Sequence, residues 1–152
     1  MYPTKHFILG TIFASFLFFL FPSIGFLGLF LIVASSVLID VDHYLYYSFR
    51  KNDFSLKNSY LWFIKHSKKF HSLNRKTRNK VYSGWFFLHG IELLILFFFL
   101  QFFNKIFLFI FIGVAFHLFL DYLHNIFYFD RIDKFSILYD LFKHKKLRFI
   151  GD

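Results

Sequence analysis

Cysteine is absent from all 152 residues. That excludes disulfides and thiolate metal sites, and any metal must be held by His, Asp or Glu. Acids are scarce as well, nine against eighteen Lys and Arg. The segment around Pro22 and Gly25 has no A-x-A-like cleavage site, and a second apolar run follows it at once, so the first run, 7–21, reads as a retained helix and not as a signal peptide. Also missing are polar residues in half of each apolar run: stretches 12–21, 26–33, 96–103 and 107–113 offer only Ser15 and Gln101. A permeation pathway needs polar groups across the whole membrane, which counts against a metal or proton transporter.

Hydrophobic residues make up 57% of the chain and phenylalanine alone contributes 29. In water such a composition would leave large exposed apolar patches, whereas a bilayer absorbs them. The expected fold is all-α: a four-helix transmembrane bundle forming one domain over 1–152, with helices at about 6–21, 26–47, 84–103 and 106–128. Gly10, Ala14 and Ser15 on the first helix and Gly25, Gly28, Ala34, Ser35 and Ser36 on the second are the small residues that let membrane helices approach closely.

Between the second and third helices lies a basic loop, 50–83, in which positions 50–80 hold ten Lys or Arg against the single acid Asp53. Such a loop reads as a cytoplasmic segment touching anionic lipid head groups. Alternating spans then put both termini in the cytoplasm, with the protein integral to the cell's inner membrane. Nucleic acid is not an expected partner, because no recognition fold surrounds the cations. Short interfacial helices are expected near 60–69, and the tail, 129–152, reads as an interfacial segment.

Asp40-Val41-Asp42-His43 closes the second apolar run. A charged side chain at mid-bilayer costs on the order of 3 kcal/mol, so acids near a membrane span normally have a partner or a job. At a helix C-terminus, where the macrodipole is already negative, these acids call for something cationic. On the expected topology His6, His89, Glu92, His117 and Asp121 reach the same membrane face. His117 and Asp121 are four residues apart, with His124 three further on, and His89 and Glu92 are three apart, so each set falls on one helical stripe. The candidate metal ligands are therefore His6, Asp40, Asp42, His43, His89, Glu92, His117 and Asp121. They suit one or two divalent ions, zinc first, with manganese or iron as alternatives.

Each residue also has a plainer reading. His6 or His124 could simply bond to a neighbouring helix, and Asp40 and Asp42 could cap the membrane boundary. Glu92 and Asp121 are harder to dismiss, because each lies inside an apolar run beside a His. His66 and His71, among lysines, read as solvated or lipid-facing.

The order of an early His6, then Asp40-x-Asp42-His43, then His89 opening the third helix, then His117-x-x-x-Asp121, resembles the small membrane-bound metal-dependent hydrolases of bacteria and archaea. Their metal site is similar to that of zinc-dependent phospholipase C. Members often carry His-Arg-Gly-x-x-His-Ser near the third helix. Here His66-Ser67-Lys68-Lys69-Phe70-His71-Ser72 keeps only the outer spacing, while His89-Gly90-Ile91-Glu92 occupies the helical position. Either could supply ligands, and depth favours the second. The resemblance implies metal-assisted hydrolysis, with Asp42 or Glu92 as the proton-accepting carboxylate and a phosphoester or lipid-like substrate at the cytoplasmic face. The competing expectations are a non-catalytic protein that binds anionic lipid through its basic loop, and a metal transporter.

Overall fold

The computed structural model describes residues 3–129 and 131–150. Of the expected domain over 1–152, positions 1–2, 130 and 151–152 lie outside them. The architecture is all-α apart from one two-residue ladder. Helix α1 (Pro3–Leu20) and helix α2 (Gly25–Leu38) form a hairpin closed by a 3-10 turn at Pro22–Ile24. Helix α3 (Val41–Lys51) and helix α4 (Leu56–Ser72) follow, then the short α5 (Arg75–Arg78) and strand β1 (Val81–Tyr82). Helix α6 (Ile91–Leu100) and helix α7 (Ile106–Phe129) make a second hairpin, and α8 (Ile137–Lys146) and strand β2 (Arg148–Phe149) complete the order.

Three helices are long and apolar enough to cross a membrane: Pro3–Leu20, the broken span Pro22–Lys51, and Ile106–Phe129. These helices turn Phe16, Phe19, Phe26, Phe30 and Phe127 outward, an apolar surface that water would penalise. Helix α6 is a shorter apolar helix, and its ten residues rise only about 15 Å.

Close approach at small residues holds the bundle together. The packing is tightest where a Cβ on Gly113 of α7 would collide with Ser35 Oγ and the Ile32 carbonyl of α2, and where one on Gly10 of α1 would collide with Ser36 Oγ. Ala14, between these contacts, is fully buried. Of these crossings α2 against α7 is the more demanding, because backbone and not a flexible side chain stands in the way. Gly113→Val should therefore lower stability by roughly 1–3 kcal/mol, the usual cost of overpacking. Thermal unfolding in detergent should show it as a lower midpoint, and an unchanged midpoint would mean the two helices are not in register here.

The long second helix expected from hydropathy is broken. Helix α2 stops at Leu38, the Asp40 N–H turns back to the Val37 carbonyl at 3.1 Å, and α3 restarts at Val41. This corrects the expectation that the acids lie at a helix C-terminus. Asp42 sits in the first turn of α3 and Asp40 at its N-cap, where the helix dipole favours negative charge.

The short helix expected near 60–69 is present and extends well beyond those bounds. Helix α4 runs 17 residues from a Ser55 cap that accepts the Asn58 N–H at 3.3 Å. The tail does not simply lie on a surface either. Strand β2 pairs in parallel with β1, the Lys69 ammonium donates to the Ile150 carbonyl at 2.6 Å, and Phe149 and Ile150 are buried with Phe70 and Phe129. Helix α8 leaves Leu138, Tyr139 and Phe142 exposed. A second apolar cluster, Ile39, Val114 and Leu118, packs beneath the polar centre against Leu88 and Leu93.

Candidate metal centre

Four elements bring polar side chains to one place. The start of α1 supplies His6, the break between α2 and α3 supplies Asp40, a 3-10 turn at Phe87–His89 supplies His89, and successive turns of α7 supply His117 and Asp121. His6, His89 and His117 are 0% exposed and Asp121 4%, so water does not satisfy them. The i, i+4 reading of His117 and Asp121 holds, since both point inward from one helix face.

The hydrogen bonds around the rings fix which nitrogens face the centre. His117 Nδ1 lies 2.7 Å from the Ser36 carbonyl, which can only accept, so that nitrogen carries the proton and Nε2 is left with a lone pair. His89 Nδ1 faces Asp42 Oδ2 at 3.0 Å and is protonated for the same reason. The two Nε2 atoms then meet at 3.2 Å. Asp40 Oδ1 is 3.4 Å from His89 Nε2 and 3.8 Å from His117 Nε2, and Asp121 Oδ2 is 3.7 Å and 3.8 Å from the same two atoms. Imidazole nitrogens and carboxylate oxygens thus crowd together in overlapping groups. A cation suits that arrangement, either a proton shared by two of the groups or a metal ion held by several of them.

The donor set fits a metal. A tetrahedral ion with bonds of about 2.0–2.1 Å holds its ligands roughly 3.3–3.4 Å apart, close to the spacings found. Asp40 Oδ2 and His6 Nδ1 are buried without a hydrogen-bond partner among the described residues, so more donor capacity is at hand. Three overlapping groups could hold an ion: His89 with His117 and Asp121, His6 with Asp40 and His117, and Asp40 with His43 and His89. His6 also supports the centre directly, with Nε2 3.2 Å from Asp121 Oδ1 and its ring stacked on His117 at 3.8 Å.

Two of the expected ligands are placed differently. Asp42 stands behind the rings: Oδ1 takes the His43 Nδ1–H at 2.8 Å, while Oδ2 takes the Leu88 N–H at 2.9 Å and the His89 Nδ1–H. Both of its oxygens are engaged in orienting two histidines and the Leu88 N–H. Glu92 lies apart from the centre, where its carboxylate accepts the Ser136 hydroxyl at 2.6 Å and the Ile137 N–H at 3.0 Å and so fastens the start of α8. The i, i+3 stripe fails for His89 and Glu92 because Gly90 between them is extended, at φ −88° and ψ 151°, and only Glu92 is in α6.

Sequence reasoning passed over Lys134. Its ammonium is 2.9 Å from His43 Nε2, 3.9 Å from Asp121 Oδ2, and 4.3 Å from the centre of the Phe86 ring. The one local signal is an isolated cation between Asp133 and Phe135, just after the apolar run ends.

The centre is not sealed. A cavity of about 560 Å³ reaches Asp40, His43, Asp121 and Lys134 and runs out past Phe63, Phe70 and Phe129, with Lys5 and His71 also on its wall. His124, offered as a third member of the α7 stripe, lines this cavity with its ring packed on Tyr128 at 4.7 Å. His66 and His71 line it too, where burial pushes both imidazoles below their usual value. Burial pushes the Asp140 carboxyl up to about 6, while Asp133, despite its burial, is held low by Arg131 and Lys143.

No family model matches the chain, and no curated protein or solved structure matches it. The site's chemistry must speak for itself.

Proposed function

We propose that the chain is a metal-dependent hydrolase of the inner membrane, acting on a phosphoester or lipid-like substrate at the cytoplasmic face. The observation that carries this reading is the gathering of two buried imidazole Nε2 atoms and two carboxylates at the end of an apolar-walled cavity. His89, His117, Asp40 and Asp121 would hold the ion, and zinc suits an all-N/O tetrahedral set best. Helix α6 would act as the fourth span with the flanking turns, and the cations of 50–83 would lie against anionic head groups on the cytoplasmic side. The order of His and Asp along the chain, similar to that of small membrane-bound metal-dependent hydrolases, supports the same class.

The ion would supply Lewis acidity, acidifying water and polarising a phosphoryl oxygen. The protein's own part falls to His43. Asp42 holds its Nδ1–H, its ring is stacked on Phe86 at 3.9 Å, and its Nε2 faces the cavity. That nitrogen takes a proton from the attacking water as the new P–O bond forms, and returns it to the alkoxide released when the old P–O bond breaks. A non-catalytic binder of anionic lipid would use the same basic loop, yet it would leave the buried donors without a role.

Protein reconstituted in vesicles of bacterial lipid extract should release phosphate or a phosphorylated head group. Chelator should abolish the release and added zinc should restore it. Release that is insensitive to chelator, or none with zinc present, contradicts the reading.

A further inference from the structure

Lys134 takes no part in the chemistry proposed above. Its backbone sits in the left-handed region at φ 63°, and the other non-glycine residue there among those described is Asn52, which ends α3 in the ordinary way. A lysine gains nothing from that conformation, so surrounding contacts must hold it. They do: the Lys134 N–H reaches Asp140 Oδ1 at 3.3 Å, and Arg131 pins the preceding turn by bonds to Asp133 and to the Arg78 carbonyl. The result is a side chain 16% exposed whose ammonium is aimed at the donor cluster.

The ammonium is poorly satisfied where it rests. It has three donors, and among the described residues its one acceptor at hydrogen-bond distance is the neutral His43 Nε2, with Asp121 Oδ2 farther off at 3.9 Å. A lysine placed only to balance the acids would sit against a carboxylate. This one faces the same cavity as the donors, with capacity for two further acceptors, beside apolar walls.

We propose that Lys134 is the residue that recognises the phosphoryl group of an amphiphilic alkyl phosphate ester, its ammonium passing from His43 onto a phosphoryl oxygen as the substrate enters the cavity. This inference rests on the hydrolase reading above. A tetrahedral oxyanion has enough oxygens to meet the metal donors' ion, Lys134 and His43 at once, which a planar carboxylate does not. The move also frees His43 Nε2 for its proton, so the base is unmasked only when an anion is present. The alkyl part lies along Phe63, Phe70 and Phe129.

The test is calorimetric titration of zinc-loaded protein in a maltoside detergent with hexyl phosphate, inorganic phosphate and hexanol. Wild type should bind hexyl phosphate more tightly than inorganic phosphate, and hexanol weakly. Lys134→Met should weaken hexyl phosphate about tenfold or more while keeping its zinc, and Lys134→Arg should retain most of the affinity. Unchanged binding by Lys134→Met overturns the proposal, as does loss of zinc from that variant, which would make the ammonium a structural counter-charge. Hexanol binding as tightly as hexyl phosphate overturns it too. A wild type that takes up no zinc sinks the hydrolase reading instead, and hexyl phosphate titrated into the metal-free protein still reads the Lys134 contact separately.

Discussion

Asp121→Ala should lower zinc affinity by about 100-fold or more, whereas Glu92→Gln should leave it unchanged. The contrast separates two acids that look alike in the sequence, each embedded in an apolar helix near a histidine. Asp121 Oδ2 stands 3.7–3.8 Å from the Nε2 atoms of His89 and His117, and its other oxygen is held by His6. Alanine there removes a donor and releases His6, and even residues that only orient metal ligands are worth about 10–100-fold in affinity. Glu92 bonds instead to Ser136 and the Ile137 N–H, so its amide should loosen the start of α8 without touching the centre. Competition with a chromophoric chelator measures both. Equal losses in the two variants would mean that Glu92 is a ligand after all, and a zinc-tight Asp121→Ala would remove the proposed donor set.

The second large effect belongs to His43. His43→Ala should cut hydrolysis by about 10²–10⁴, the usual contribution of a positioned acid–base group, while zinc content stays within a few-fold of wild type. Asp42→Asn makes the cause visible. Three N–H groups, from His43, Leu88 and His89, converge on the Asp42 carboxylate, and an amide cannot accept them all without turning one of its own donors toward another. Both rings then lose their fixed tautomer. Asp42→Asn should therefore lose rate like His43→Ala and also lose about 10–100-fold in zinc affinity. The rate is read from phosphate release in vesicles and the metal from mass spectrometry. Full activity in His43→Ala would leave the base unidentified, and an inactive variant that has also lost zinc would assign His43 to the metal.

How much of this was legible depends on how local each signal is. His117 and Asp121 share an unbroken helix, so a spacing of four placed both correctly. Gly10 and Ser36 were likewise visible as close-packing residues, because a missing side chain is a property of the sequence itself. His89 and Glu92 looked equally well spaced, but a spacing rule assumes a helix, and the 3-10 turn ends at His89 before α6 begins. Hydropathy also hid the break at Ile39 and Asp40, since no proline or glycine marks it while the hydrogen bonds shift from α-type to the tighter pattern. That break reverses the electrostatics of the acids, from the unfavourable end of one helix to the favourable start of the next. Lys134 was beyond reach, because its contact with His43 spans 91 positions and depends on a left-handed backbone that no side chain announces. The parallel pairing of Val81 and Tyr82 with the tail is non-local for the same reason.

Metal content of the wild-type protein, purified in detergent and freed of loose ions by gel filtration, tests the central claim most directly. About one tightly held divalent ion per chain is expected, zinc in preference to magnesium or calcium, because imidazoles and carboxylates form the set. Protein that folds, elutes as a single species and carries no stoichiometric ion even after incubation with zinc would contradict it. In that case a shared proton, and not a metal, fills the gap between His89 and His117.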